Sequence, residues 1–496
     1  MNMQANVPLP GLDPYEGGKT SGHLYHAGYG LRPFGAQESE YCFAHKTKPM
    51  QFLGECQRYV FAGYQVSTHL KGERAHVRLE NERLRFEYEK FDQSLIARMA
   101  HKDPGVLRDE PCLMGTVTDT NADEFARYIR RLEQKGYLAL WQREIDGNRF
   151  VSLQKAEDCL YVSYFDRAKA VHILRDTVSV PMADFDGGET PHLVQPAICQ
   201  FGLHQAGMVG GVTADCGMLY FVRLCDNSLL VIDGGEYEQA TDEAAAEEMR
   251  VMHELTGTRP GEPIRIAAWV CTHAHDDHMD GFAKLLRFHH DELQLERVLL
   301  NFPEDQLYRR YIAVYEMLDR VARYYPRVKF MKAHTGQRFN LGGVTLDVLL
   351  THEDCVGIAG EIAARDMNDT TTVVRLSLDG AGVLLLGDIH FAAEAVLLRN
   401  FSEDTLRVEA VQTAHHLFNP LEKIYRLCGA AYALAPTRRS SARDDNPSWW
   451  ALRSSVPADH VLFAEEGTDI LVAENGKLVH MQHKNAPQLP FDGSAV

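Results

Sequence analysis

From about residue 198 to residue 480 the chain alternates short apolar runs with helical segments, and that texture limits its fold more than any other feature. The runs Leu219–Leu224, Leu229–Ile232, Ile264–Cys271, Val298–Phe302, Val344–Leu350, Thr372–Leu378, Val383–Leu386, Val408–Thr413, Tyr432–Ala435, His460–Ala464 and Ile470–Ala473 each have strand length. So many strands with interspersed helices predict one large α/β domain of roughly 280 residues. No internal repeat or low-complexity tract interrupts it.

The remaining chain reads as smaller units. A length of 496 residues suggests two to four domains. Residues 1–105 are the least informative: irregular to about Phe34, then strand-like over Gln57–Val66 and Ala75–Tyr88, with no function assigned. Residues 106–180 predict a small α+β domain. Asn121 with Glu124 forms a capping-box pattern, and Phe125, Tyr128, Ile129 and Leu132 recur at helical spacing before Gly136. The strand-like runs Tyr137–Arg143, Phe150–Gln154, Cys159–Phe165 and Ala170–Leu174 follow, with Asp146-Gly147 as a hairpin turn between the first two. The aromatic residues of this unit are expected in its core. Residues 181–197 have the Pro, Gly and acidic composition of a linker, and 481–496 form a tail.

Lys+Arg 51 against Asp+Glu 69 leaves a net charge of −18, which makes long nucleic acid a poor partner. The ten cysteines include no Cys-x-x-Cys pair, so free thiols in a reducing compartment are expected. The first 18 residues lack the apolar core of a signal peptide, and the longest apolar runs are far short of a membrane span. A cytoplasmic protein acting on a small molecule is the expectation. The unit at 106–180 could cover a site, recognise a partner or build a homo-oligomer.

The chemistry concentrates in Thr272-His273-Ala274-His275-Asp276-Asp277-His278-Met279-Asp280-Gly281, between the buried strand-like run Ile264–Cys271 and a helix-like stretch, Phe282–His290. Loops leaving the C-terminal ends of strands are where α/β sheets place sites. Imidazoles and carboxylates are hard to bury without a partner. They suit zinc and similar ions, and adjacent His and Asp can diverge toward two of them. The alternative is a His-rich surface loop. From composition alone, a His-x-His-x-Asp-His match arises with a probability on the order of a few in a thousand.

That spacing resembles the signature of the metallo-β-lactamase-fold hydrolases, and further segments follow in the family's order. Asp233-Gly234-Gly235 resembles the first motif, whose Asp supports the metal loop. Gly387-Asp388 resembles the motif whose carboxylate bridges both metals, and Ala414-His415-His416 the last histidine motif. The resemblance covers about 200–480. It implies a four-layer αββα sandwich with an added N-terminal α+β region. It also implies two divalent metal ions, zinc first, with manganese or iron as alternatives.

The family's third motif carries a His ligand, whereas the corresponding stretch here, Asn368-Asp369-Thr370-Thr371-Thr372, has none. It resembles the Asn-x-x-x-Ser pattern of the branch containing DNA-uptake competence proteins and phosphorylcholine esterases. Asn446-Pro447-Ser448 and Glu466-Gly467-Thr468 also look like that branch's closing segments. The branch follows its His-His pair with Gly, but here Leu417 stands there. The implied first metal has His273, His275 and Asp388, helped by Asn368 or Asp369. The second has Asp277, His278, Asp388 and His415 or His416. His415 is taken as the ligand, and His416 as a candidate general acid, with Asp277 orienting the attacking hydroxide. Arg438 or Arg439 could clamp a phosphate or carboxylate; the alternative is a solvated charge pair.

The implied function is a metal-dependent hydrolase of a small phosphodiester. Alternatives are a carboxylic ester, lactone or thioester hydrolase on the same centre, and a binding protein with a degenerate site. A diiron oxidoreductase is less expected, because Asp277-His278 does not resemble that group's carboxylate-rich ligands.

Overall fold

The computed structural model describes residues 12–23, 32–33, 38–44, 48–60, 65–71, 74–80, 84–91, 94–101, 107–108, 113–156, 158–176, 190–203, 216–235, 242–302, 321, 323–355 and 367–482. Most of the expected linker, the first residues of the chain and the tail beyond Gln482 lie outside these.

Two large sheets face one another. The first runs, in spatial order, Lys329–Lys332, Arg297–Leu300, Ile264–Cys271, Leu229–Asp233, Leu219–Arg223, Ala197–Gln200, Asp469–Glu474 and Lys477–Gln482, with Leu293–Leu295 beside the third strand. The second runs Arg338–Leu341, Val344–Leu350, Val373–Leu378, Ala381–Leu385, Ala410–Gln412, Tyr432–Ala435 and Val461–Phe463. Each sheet is parallel where it approaches the site: 229–233, 264–271 and 297–300 run together, as do 381–385, 410–412 and 432–435.

Side-chain alternation explains the layering. Successive strand residues point to opposite faces. Leu230 and Ile232 enter the core between the sheets, while Leu229 and Val231 face outward. The outer face of the first sheet is covered by the helices Asp242–Thr256 and Asp276–Phe288, through Met249, Met252, Leu255, Met279, Phe282 and Leu286. In the second sheet Val383 and Leu385 point inward, whereas Leu384 and Leu386 meet the helices Phe391–Asn400, Glu422–Cys428 and Pro447–Arg453. Three apolar layers separate helix, sheet, sheet and helix. The result is the expected four-layer αββα sandwich.

The smaller sheets lie upstream. A six-stranded antiparallel sheet has the order Lys19–His23, Leu113–Thr118, Ala170–Asp176, Asp158–Phe165, Asn148–Lys155 and Leu138–Ile145. Its first strand comes from before residue 106, so the sheet crosses the expected boundary there. The helix Ala122–Gln134 packs Phe125, Tyr128, Ile129 and Leu132 against it. Asn121 caps that helix, accepting from the backbone N–H of Asp123 and Glu124 at 3.1 Å. Glu124 does not complete the capping box, because its carboxylate takes the Thr120 hydroxyl at 2.8 Å. Asp146 and Gly147 both have positive φ, 54° and 78°, as a tight hairpin turn needs.

A five-stranded antiparallel sheet contains Glu38–Ala44, Ser94–His101, Leu84–Phe91, Arg74–Glu80 and Gln65–Lys71. The reading of Gln57–Val66 as one strand is corrected. Pro49–Cys56 is a helix that tightens into a 3-10 turn over Gln57–Val60, and the strand starts only at Gln65. Phe52 and Cys56, spaced one helical turn apart, reach the same core as Val77 and Leu79. The run Ala75–Tyr88 is likewise two paired strands, with Leu79 opposite Phe86.

The six-stranded sheet meets the sandwich through polar and aromatic contacts. Arg143 pairs with Asp347 at 2.9 Å, Asn148 Nδ2 donates to the Asn400 carbonyl at 2.6 Å, and Asp146 accepts from Ser402 N at 2.7 Å. Phe150 sits against Gly336, where a Cβ would come within 2.2 Å of its ring. Every cysteine whose side chain is described is a free thiol. Among the described residues no helix is long and apolar enough to cross a membrane.

Candidate metal centre

Four strand ends converge on one edge of the sandwich. The strand Leu229–Asp233 ends in Asp233, held left-handed at φ 57°. The strand Ile264–Cys271 runs into Thr272 and His273, and its successor helix starts at Asp276. That helix fits only because two motif residues are glycine. A Cβ on Gly281 would lie 2.1 Å from the Gly234 carbonyl oxygen, and one on Gly234 would lie 2.4 Å from Phe282 Cβ. The close approach is locked by Phe282 N donating to Gly234 O at 2.9 Å.

Asp233 braces the loop. Its carboxylate accepts from Thr272 N and Thr272 Oγ1, each at 2.7 Å, and meets His278 Nδ1 at 2.6 Å. That contact assigns the proton to Nδ1 and turns Nε2 inward. His416 is set the same way, with Nδ1 donating to the Pro436 carbonyl at 3.0 Å. Asp388 follows Gly387, whose φ of +52° and 2.4 Å approach to Thr371 Cγ2 leave no room for a side chain.

Two groups of ligand atoms result: Asp277, His278, Asp388 and His416, and His273, His275 and Asp388. Within each group the atoms lie within 4.8 Å of one another, and Asp388 belongs to both. His278 Nε2 is 3.3 Å from Asp388 Oδ1, and His416 Nε2 is 2.9 Å from Asp277 Oδ2 and 3.4 Å from Asp388 Oδ2. His273 Nε2 is 3.8 Å from Asp388 Oδ2. Both Asp388 oxygens and the Nε2 atoms of His278 and His416 are buried with no well-formed hydrogen bond. Buried lone pairs normally find partners. Here they aim at shared space, with the donor types and spacing that divalent ions require. These residues fit two metal ions.

The paired histidines, which the sequence could not tell apart, are placed differently. His416 occupies the inner group, while His415 is 26% exposed and stands 4.0 Å from Asp388. With one nitrogen on Pro436 and the other among the ligand atoms, His416 is not placed as a general acid. The cause is local backbone. His415, His416 and Leu417 are all left-handed, with φ of 49°, 50° and 67°. This turn sends successive side chains to the mouth, the centre and the core. Asn446 supports it by donating to Leu417 O at 3.4 Å.

Asn368 and Asp369 are found around His415 and a histidine that sequence reasoning missed, His390. Asn368 Nδ2 lies 3.2 Å from His415 Nε2 and 3.5 Å from His390 Nε2, while Asp369 Oδ1 is 3.6 Å from His390 Nδ1. His390 Nε2 meets His415 Nδ1 at 3.2 Å. The available signal was its position two residues after Asp388. Cys216, also unforeseen, has its Sγ 3.8 Å from Asp277 Oδ2. Arg438 stands in extended conformation just before the short turn Arg439–Ser441, and Arg439 turns away to pair with Glu466.

The electrostatics match the geometry. Burial drives His273 well below its ordinary value and lowers His275, which keeps both neutral. Burial also opposes charge on His278, but Asp388, Asp277 and Asp233 outweigh it and lift this imidazole to about 10. His416 is raised well above its ordinary value against burial, by Asp388 and Asp277. Asp388 is held well below the carboxylate range despite burial, by His416 and His278. Protons thus balance the two carboxylates where cations fit.

No family model matches the chain, and no curated protein matches it. Among solved structures, CmlA, a diiron β-hydroxylase from Streptomyces venezuelae, is 15% identical, with 46% of this chain and 35% of that one covered at a TM-score of 0.23. A flavodiiron protein from Giardia intestinalis is 14% identical, with 48% and 50% covered at a TM-score of 0.24. This chain spans about a third to a half of the length of these proteins. The strand order and apolar layers described above define the fold independently of this partial overlap.

Proposed function

We propose that the protein is a metal-dependent hydrolase of small phosphodiesters, of the kind its Asn368–Thr372 segment resembles. One observation carries this reading: Asp388 presents two buried oxygens, neither in a well-formed hydrogen bond, to two separate groups of His and Asp ligand atoms. A pair of divalent ions there, zinc by the donor set, would supply Lewis acidity and lower the pKa of a water toward neutral.

The chain's own residues do the rest. Asp233 and the Pro436 carbonyl hold His278 and His416 in one tautomer, so no reorientation accompanies the reaction. Asp277, 18% exposed, is the inner carboxylate nearest the mouth and is placed to orient the attacking water. His415, buttressed by Asn368, Asn419 and His390, faces the substrate side. The walls around His273, His278 and Asp388 exclude bulk water, which strengthens every charge interaction inside.

The test combines metal analysis with turnover. Protein purified without added metal is expected to carry about two ions per chain and to cleave bis-p-nitrophenyl phosphate. Asp388→Asn is expected to abolish both. Activity confined to ester or lactone substrates would overturn the phosphodiester assignment. Activity that survives His275→Ala combined with Asp388→Ala would overturn the hydrolytic centre itself.

A further inference from the structure

The mouth of the centre is lined by rings. His390 and His415 have ring centroids 5.1 Å apart, and His415 and Phe418 lie 5.4 Å apart, edge to face. Phe391 directly follows His390 at the start of the helix Phe391–Asn400. Phe418 is 55% exposed and Phe391 56%. Contiguous exposed apolar surface rimmed by polar residues marks ligand-binding sites.

The other exposed aromatic residues provide the contrast. Phe288 carries the Lys284 ammonium at 4.3 Å from its ring centroid, and Trp450 carries the Arg453 guanidinium at 3.8 Å. A cation already covers each. Among the described residues no such cation covers Phe391 or Phe418; Phe418 packs against His415 beside the centre, and Phe391 is the residue next to His390. The backbone points the same way. Leu417 is fully buried and Phe418 is turned outward by the left-handed run 415–417, closed by Phe418 N donating to His415 O at 2.7 Å. The segment fixes one large apolar side chain in the core and holds the next at the mouth.

We infer that Phe418 and Phe391 form a specificity-determining seat for a flat aromatic group carried next to the reacting centre of the substrate. The inference rests on the hydrolase reading and narrows it to aryl-bearing substrates. An aromatic ring gains area burial and ring–ring contact there, whereas a small alkyl group gains little. The His390 and His415 rings extend the surface beside Phe418.

The experiment uses the full-length, metal-loaded protein and two non-hydrolysable probes, phenylphosphonate and methylphosphonate, compared by calorimetry. Phenylphosphonate is expected to bind about tenfold more tightly. The double variant Phe418→Ala with Phe391→Ala should bring the two affinities together with both metal ions retained. Phe418→Trp should keep the preference, which separates loss of the ring from damage to the fold. Equal binding of the probes to the unaltered protein, failure of both to bind, or a preference that persists in the double variant would overturn the inference. A clear preference with no phosphodiester cleavage would leave the seat standing and remove the hydrolase reading. Cleavage with no preference would do the reverse.

Discussion

At the scale of single residues, the centre depends on atoms that touch no substrate. Asp233 is fully buried and spends its carboxylate on Thr272 and His278. Asp233→Ala removes the acceptor that holds the His278 tautomer, so metal affinity should fall about 10- to 100-fold, measured by competition with a chelator. A second expectation concerns protons. Because Asp388, Asp277 and Asp233 hold His278 charged up to about 10, metal entry must expel that proton at neutral pH. Calorimetric titrations in buffers of different ionisation enthalpy should show about one or more protons released per chain, and affinity should weaken as pH falls. Leu417 adds a test in which two effects compete. Its left-handed backbone costs about 1–2 kcal/mol relative to glycine, yet its side chain is fully buried, worth about 2–5 kcal/mol. Burial is the larger effect. Leu417→Gly should therefore destabilise the protein by about 1–3 kcal/mol in denaturant titration, even though glycine suits the angle.

At the scale of elements, the helix Asp276–Phe288 is the part that aims the ligands. Its seating on the Asp233-Gly234-Gly235 turn has no slack, since a methyl group on Gly281 would collide with the Gly234 carbonyl. Gly281→Ala should displace the helix start that carries Asp277 and His278, and metal analysis should then show fewer than two ions. Gly54 is the control: it is helical with open space around it, and Gly54→Ala should leave the metal content alone and add up to about 1 kcal/mol of stability. The motif glycines and ligand types were legible in the sequence because their spacing follows from this contact. Which of His415 and His416 turns inward was not legible. Two adjacent imidazoles are chemically identical, and only the run of left-handed residues separates them. His390 escaped notice because its one local signal, a place two residues after Asp388, does not say where the start of the helix Phe391–Asn400 will hold it. Gln57–Val66 was misread because a short apolar run fits a helix end as well as a strand.

At the scale of the whole molecule, the sandwich was legible and the N-terminal architecture less so. Strands with apolar residues on both faces announce themselves, as Ile264–Cys271 does. The six-stranded sheet takes an edge strand from Lys19–His23, paired with Leu113–Thr118 across the 89 residues between them, and no periodicity reports such pairing. The junction between that sheet and the sandwich holds a buried Asp354, which accepts from Thr351 N at 3.0 Å and from Thr335 Oγ1, with His172 Nδ1 at 3.8 Å. Burial lifts Asp354 to about 7. An acid raised in the folded state is bound to its proton there when the unfolded chain has lost it. Stability should therefore fall as pH rises from about 4 to about 7. Asp354→Asn removes that loss, so its melting temperature should exceed that of the parent protein at pH 8, on the order of 3 °C or more, and not at pH 4. Equal melting shifts at both values would show that Asp354 is not carrying the dependence.

The central claim, that Asp388 stands between two cations, is tested most directly by anomalous scattering from crystals of the metal-loaded protein. Two peaks about 3.5–4 Å apart are predicted, one beside His273 and His275 and the other beside Asp277, His278 and His416, with the Asp388 carboxylate between them. A single peak, or peaks away from Asp388, would contradict it.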